Sequence, residues 1–223
     1  MGKTDVQLQR DVIDELRWDP RVGTAEIGVA VKDGVVTLTG AVDRDARRLA
    51  AICAVERVVG VRAVADDLVI RLPQRLVRTD TQIAHAAVAA LTWNSEVPGD
   101  KVRVRVEDGW LVLEGEVDWQ YQRVAAEQAV RNLTGVRGVS NNLKIRGRPF
   151  APDIRKRIED ALKRSADVDS KGISVEVADG QVTLRGKVRS WAERRDAERA
   201  AWSAPGVTAV VDQIAISIPV YAL

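Results

Sequence analysis

His85 and Cys53 are the single histidine and the single cysteine of this 223-residue chain. Between them they bound the chemistry it can do. A Ser-His-Asp or Cys-His relay would have to pass through His85, and no Gly-x-Ser-x-Gly turn is present to present a nucleophile. The residue equivalent to His85 in the first of the repeats described below is Arg10, off the apolar stripe, so a solvated side chain is expected. One imidazole and one thiol cannot build an ordinary transition-metal shell, and one thiol cannot form an intramolecular disulfide. Asp66-Asp67 has the acidity for a hard cation, but its counterparts are Asn141-Asn142 and Asp212-Gln213. The preferred reading is a turn just before a strand. A potassium site made of backbone carbonyls would leave no mark in the sequence and stays open. No catalytic residue, metal ligand or cofactor is assigned, and the chain is read as a non-enzyme.

The six tryptophans are the other chemically distinctive side chains. Trp18 and Trp93 are equivalent, 75 residues apart, each near the end of a helix, and the third equivalent is Arg164. Trp110, Trp119, Trp191 and Trp202 are not equivalent to one another. Tryptophan at a helix end commonly closes a core, and that reading is preferred. The functional reading is contact with a lipid or protein partner by Trp18, Trp93 and Trp119, because an indole suits a boundary between apolar and wet surroundings. Trp93 with Arg and Lys neighbours is the expected flat contact surface, which makes the second repeat the most specialised.

These residues are positioned by a triplicated unit. Asp-Gly occurs at Asp33-Gly34, Asp108-Gly109 and Asp179-Gly180; Gly40, Gly115 and Gly186 follow, expected to end the second strand where a side chain would obstruct a bend or a close helix, then Gly60-Val61, Gly135-Val136 and Gly206-Val207. Fixed internal spacing in three copies is the signature of a tandem repeat. Before each Asp-Gly runs an alternation (Ile27, Val29, Val31; Val102, Val104, Val106; Ile173, Val175, Val177), which resumes after it at Val36 and Leu38, Leu111 and Leu113, Val182 and Leu184. That is a hairpin, since a type I′ turn needs positive φ at both central residues. Helical spacing follows in Ala51, Ala54, Val55, Val58 and their counterparts, with Gly60, Gly135 and Gly206 expected as left-handed caps. Val64, Leu68 and Ile70 mark the closing strand, and Leu8, Val12 and Leu16 stripe a helix ahead of the hairpin. The modules are expected at 5–72, 79–147 and 151–218, joined by short Pro-containing linkers and followed by an apolar tail. Units this small gain stability from one another.

With 34 basic and 32 acidic residues the net charge is +2, too even for a dedicated polyanion binder. Lys144-Ile-Arg-Gly-Arg148 and Arg155-Lys-Arg157 are short, and no Gly-x-x-Gly clamp joins two helices, so no nucleic-acid partner is expected. No apolar leader opens the chain and no apolar run reaches the roughly 18 residues of a membrane span. A cytoplasmic address is expected, or a periplasmic one where a leader has been removed.

The stretches Asp33-Gly-Val-Val-Thr-Leu-Thr-Gly40, Asp108-Gly-Trp-Leu-Val-Leu-Glu-Gly115 and Asp179-Gly-Gln-Val-Thr-Leu-Arg-Gly186, each with its later Gly-Val, resemble the BON domain. The family is named after an osmotically inducible periplasmic protein and nodulation-related proteins. The resemblance implies an α+β fold of three αββαβ modules, each a three-stranded mixed sheet with two helices on one face. It implies roles in osmotic or envelope stress and, for several members, contact with phospholipid, so an anionic membrane surface or an envelope protein is the expected partner, while the apolar tail offers docking on a second copy or another chain. The alternative it leaves is a scaffold responsive to an ion such as potassium or to a small ligand. The family's shared residues are structural glycines and core positions, and none is catalytic.

Overall fold

The computed structural model describes residues 3–23, 27–146, 154–164 and 172–217. The helix that opens each module starts where a side chain can satisfy its first N–H groups. Thr4 Oγ1 accepts from the Gln7 N–H (3.3 Å) while Gln7 Oε1 accepts from the Thr4 N–H (3.0 Å), a capping box at the head of α1 (Asp5–Trp18). Thr79 and Gln82 repeat the box at α3 (Asp80–Trp93). The third such helix is α5 (Ile154–Arg164). Leu8, Val12 and Leu16 are buried on one stripe, as are Ile83, Ala87 and Leu91, and Ile158 and Leu162 with Ile154.

The hairpins are β1 (Ile27–Lys32) with β2 (Val35–Val42), β4 (Val102–Glu107) with β5 (Trp110–Val117), and β7 (Ile173–Ala178) with β8 (Gln181–Val188). Lys32 pairs with Val35, leaving Asp33 (φ 51°) and Gly34 (φ 76°) as a two-residue loop, with both residues in the left-handed region that the turn requires. Second helices α2 (Asp45–Arg57), α4 (Gln120–Arg131) and α6 (Trp191–Trp202) carry the chain to β3 (Ala63–Ile70), β6 (Gly138–Ile145) and β9 (Ala209–Ile216). Each last strand runs parallel to the middle strand, so the three sheets have orders β1-β2-β3, β4-β5-β6 and β7-β8-β9.

Alternate residues of each middle strand, such as Val36, Leu38 and Val42, face both helices of their own module and are buried. Each module has its own core. Fully burying one leucine of this kind stabilises by about 1.5–3 kcal/mol. Alanines 51, 54, 126, 197 and 201 are wholly buried, which lets the second helices lie close on the sheets.

Three local expectations change. Gly40, Gly115 and Gly186 lie inside the second strands rather than at their ends. At Gly115 (φ 134°) a Cβ would run into the carbonyl oxygen of Lys101, so the obstacle is the backbone of the 3-10 turn (Gly99–Lys101) that leads into the first strand. Helix α2 ends at Val58 in extended geometry (φ −77°, ψ 121°), and the positive φ of Gly60 comes two residues later, redirecting the chain rather than capping it. The first linker holds a 3-10 turn at Gln74–Leu76. The second linker, with Pro149 and Pro152, and the tail from Pro219 lie outside the described residues.

Candidate functional site

The structure separates the reactive side chains. His85 is exposed on α3 and Cys53 is half-buried on α2. Among the described residues no group of three or more His, Cys, Asp or Glu side chains could hold a metal ion.

The acidic pair 66–67 is not a turn. Asp66, Asn141 and Asp212 sit mid-strand, opposite Leu38, Leu113 and Leu184, on the face turned to the second helix. Each accepts from the backbone N–H two residues on, at 3.2, 3.3 and 2.9 Å. Each also meets the equivalent arginine of that helix. Asp66 lies 3.5 Å from Arg48 and Asp212 2.5 Å from Arg194, while Asn141 donates to the Arg123 carbonyl (2.8 Å). These groups brace the sheet to the helix, and a salt bridge or amide takes up the lone pairs that a cation would need.

Of the nine glycines singled out, Gly34, Gly40, Gly60, Gly109, Gly115, Gly135, Gly180, Gly186 and Gly206, all have positive φ. Gly34 and Gly109 are also braced from outside the turn. Asp5 accepts from the N–H groups of Asp33 (2.8 Å) and Gly34 (3.1 Å), and Asp80 does the same for Asp108 and Gly109, both at 2.9 Å. The signal for this brace in the sequence is Thr-Asp-x-Gln at residues 4–7 and 79–82.

Trp18 and Trp93 end α1 and α3 and are 83% and 90% exposed, so neither closes a core. Their surroundings differ. The last turn of α1 carries Arg17, whereas the last turn of α3 carries no basic residue. The expected Arg and Lys neighbours of Trp93 are therefore missing from its own helix end. Below Trp18 the C-cap residue Asp19 is buried. The hydrogen bond from Arg21 (2.6 Å), with a second from Arg57 (2.8 Å), holds its carboxyl well below the usual carboxylate range despite that burial. Trp110 donates to Ser140 Oγ (2.8 Å).

Trp119 is elsewhere, at the head of α4, in a junction between modules. The second helices meet one another in cyclic order. Arg131, at the end of α4, lies 3.4 Å from the buried Asp45 at the head of α2. Glu56, near the end of α2, forms an ion pair with Arg195 of α6. Arg199 and Trp202, at the end of α6, share a cleft of about 490 Å³ with Trp119, Gln120, Tyr121 and Val124 of α4. The helix ends, 56, 131 and 202, are equivalent, and so are the heads, 45, 120 and 191.

Comparison with known proteins bears on the whole chain. The family model described as BON domain matches residues 4–71, 79–147 and 151–217. Osmotically-inducible protein Y of Escherichia coli (strain K12) is 32% identical over 127 residues, covering 55% of this chain and 63% of that protein. The chain thus spans just under two thirds of that relative's length. Solved structures of CdsD, a structural protein of the type III secretion system of Chlamydia trachomatis, align at 15% identity over 95% of this chain and 92% of that one, with a TM-score of 0.28. Its C-terminal domain aligns at 14% identity over 97% of this chain and 100% of that one, with a TM-score of 0.26.

Proposed function

The chain belongs to the BON domain family, three times over, and from that premise we propose that it is a non-catalytic, stress-associated binding protein that lays Trp18 and Trp93 on an anionic phospholipid surface. The observation that carries this is the pair of equivalent tryptophans, 83% and 90% exposed at the ends of equivalent helices. Two large apolar rings left in water at matching positions suit the headgroup boundary, where the ring is buried and its N–H stays solvated. Two weak contacts on one chain reinforce each other through effective concentration. Arg17, in the last turn of α1, adds attraction for anionic lipid on the Trp18 side. The stress association follows the name of the osmotically inducible relative. No helix among the described residues is long and apolar enough to cross a membrane, so the proposed contact is peripheral.

A second reading, a scaffold whose module packing responds to ions, is favoured by one observation. Two of the three junctions between modules are made by ion pairs, Asp45 with Arg131 and Glu56 with Arg195, and salt screens such pairs.

Vesicle flotation decides between them. Co-flotation with anionic but not neutral vesicles, weakening with salt and lost on Trp18→Ala with Trp93→Ala, is the expected result. Absence of flotation at every lipid composition overturns the membrane reading and leaves the ion-responsive scaffold.

A further inference from the structure

Three equivalent junctions join the second helices, and one of them is built differently. Where α4 meets α2, Arg131 faces Asp45 and the remaining crevice is only about 50 Å³. Where α2 meets α6, Glu56 is ion-paired with Arg195. Where α6 meets α4, the position of Asp45 is held by Gln120 and that of Arg131 by Trp202. No ion pair forms between those two, and a cleft of about 490 Å³ stays open, within the size range of small-molecule sites.

The lining of that cleft has one chemical sense. Trp119, Tyr121 and Trp202 bring three aromatic rings to its walls. Gln120 Oε1 is buried there with no hydrogen-bond partner, which leaves the negative end of an amide dipole unpaired. Glu96 stands at the same cleft, and its carboxylate has no ion-pair partner among the described residues. Its equivalent in the first module is Arg21, so the charge at this position is reversed in the module that owns the cleft. Among the described residues of the lining the one cation, Arg199, is offset by Asp196 at 3.0 Å. Ring faces, an unpaired carbonyl and a carboxylate all favour positive charge, and the rings favour it on a bulky, weakly hydrated group.

We propose that the cleft between the second and third modules binds an organic ammonium ion, its alkylated nitrogen among Trp119, Tyr121 and Trp202 and beside the Glu96 carboxylate. This goes beyond the membrane reading and does not depend on it. The same chemistry is offered by a free solute and by the choline headgroup of a lipid.

The test is a titration of the full chain with choline chloride, against a sodium chloride blank of equal ionic strength, followed by calorimetry and by tryptophan fluorescence. Saturation near about 1 mM is expected for a ligand of this size. Tyr121→Ala removes a ring that is 55% exposed and should weaken binding about fivefold without lowering Tm. Glu96→Gln should weaken it in the same direction. The neutral isostere 3,3-dimethylbutan-1-ol should bind at least about tenfold more weakly than choline, because only the charge differs. Equal binding of the isostere, no change in either variant, or no saturation by about 50 mM choline would each overturn the proposal. Choline binding without flotation on phosphatidylcholine vesicles assigns the site to a free ammonium solute. Flotation on those vesicles, lost in Tyr121→Ala, assigns it to the lipid headgroup.

Discussion

Glu56 of the first module forms an ion pair with Arg195 of the third, across 139 residues of sequence. With Arg131 against Asp45 and the aromatic cleft between α4 and α6, this contact makes the three second helices a closed cycle rather than a string. The pair is half-buried, so its own worth is held to about 1 kcal/mol by solvent. Its effect on shape is larger, because it is the tie that returns the last module to the first. Glu56→Arg should raise the radius of gyration measured by small-angle scattering, and adding Arg195→Glu should bring it back. Raising sodium chloride to about 0.5 M should mimic the single variant, since the screening length falls to a few ångströms. An unchanged radius in the single variant means that other contacts hold the third module.

Asp80 ties the head of α3 to the hairpin of its module by accepting from both turn amides at 2.9 Å. A charged acceptor serving two N–H groups is worth about 1.5–3 kcal/mol, less where water reaches it. Asp80→Ala should lower the denaturant midpoint of the second module with an unchanged m-value, corresponding to about 1–2 kcal/mol. Amide exchange at Asp108 and Gly109 should accelerate while that at Leu113 holds. A variant with unaltered exchange at those two amides would show that the turn stands without its brace.

How much of this was legible follows from the range of each interaction. The hairpins were, because alternation and Asp-Gly are local and act through backbone geometry alone. The first helices were, because Leu8, Val12 and Leu16 repeat with one stripe. Asp66 was misread because its local preference for turns is overridden by Arg48, a partner 18 residues away on another element. The brace from Asp5 to Asp33 spans 28 residues and shows only as equal spacing in two copies. The equivalence of Trp18 and Trp93 was visible, but their exposure was not, since the same spacing fits an indole closing a core. The junctions were hidden most completely. Their positions carry Asp, Gln and Trp on one side and Glu, Arg and Trp on the other, so no pattern survives across copies.

Asp19 should make the first module acid-sensitive. Its carboxyl is held below the ordinary value of 3.8 first by the hydrogen bond from Arg21, with Arg57 adding to it. A depressed acid contributes stability that is present above the unfolded pKa and is lost as pH falls toward the folded one. Stability should therefore be flat near neutrality and decline below about pH 4, where the unfolded chain takes up the proton first. Asp19→Asn should remove that part of the acid limb and cost about 2 kcal/mol at neutral pH, because Arg57 loses its buried counterion. Thermal melts of both proteins from pH 7 to pH 2.5 check the sign. Parallel curves would show that other carboxylates carry the acid dependence.

Leu113 and Trp93 sit in the same module and make opposite claims on stability. Leu113 is fully buried, on the middle strand facing both helices, and its removal leaves a cavity that a tightly packed core fills poorly. Leu113→Ala should cost about 3 kcal/mol, which for a module this small is a large part of its stability. Trp93 is the larger side chain and loses more apolar surface on truncation, so on size alone it should cost more. At 90% exposure it has almost no packing to lose, and Trp93→Ala should shift stability by less than about 0.5 kcal/mol. Denaturant melts of the two variants side by side test this ordering. A loss above 1 kcal/mol for Trp93→Ala would restore the core-closing reading of that tryptophan. It would also remove the surface on which the membrane contact depends, because a ring that stabilises the fold by packing is not free to leave it for a lipid headgroup.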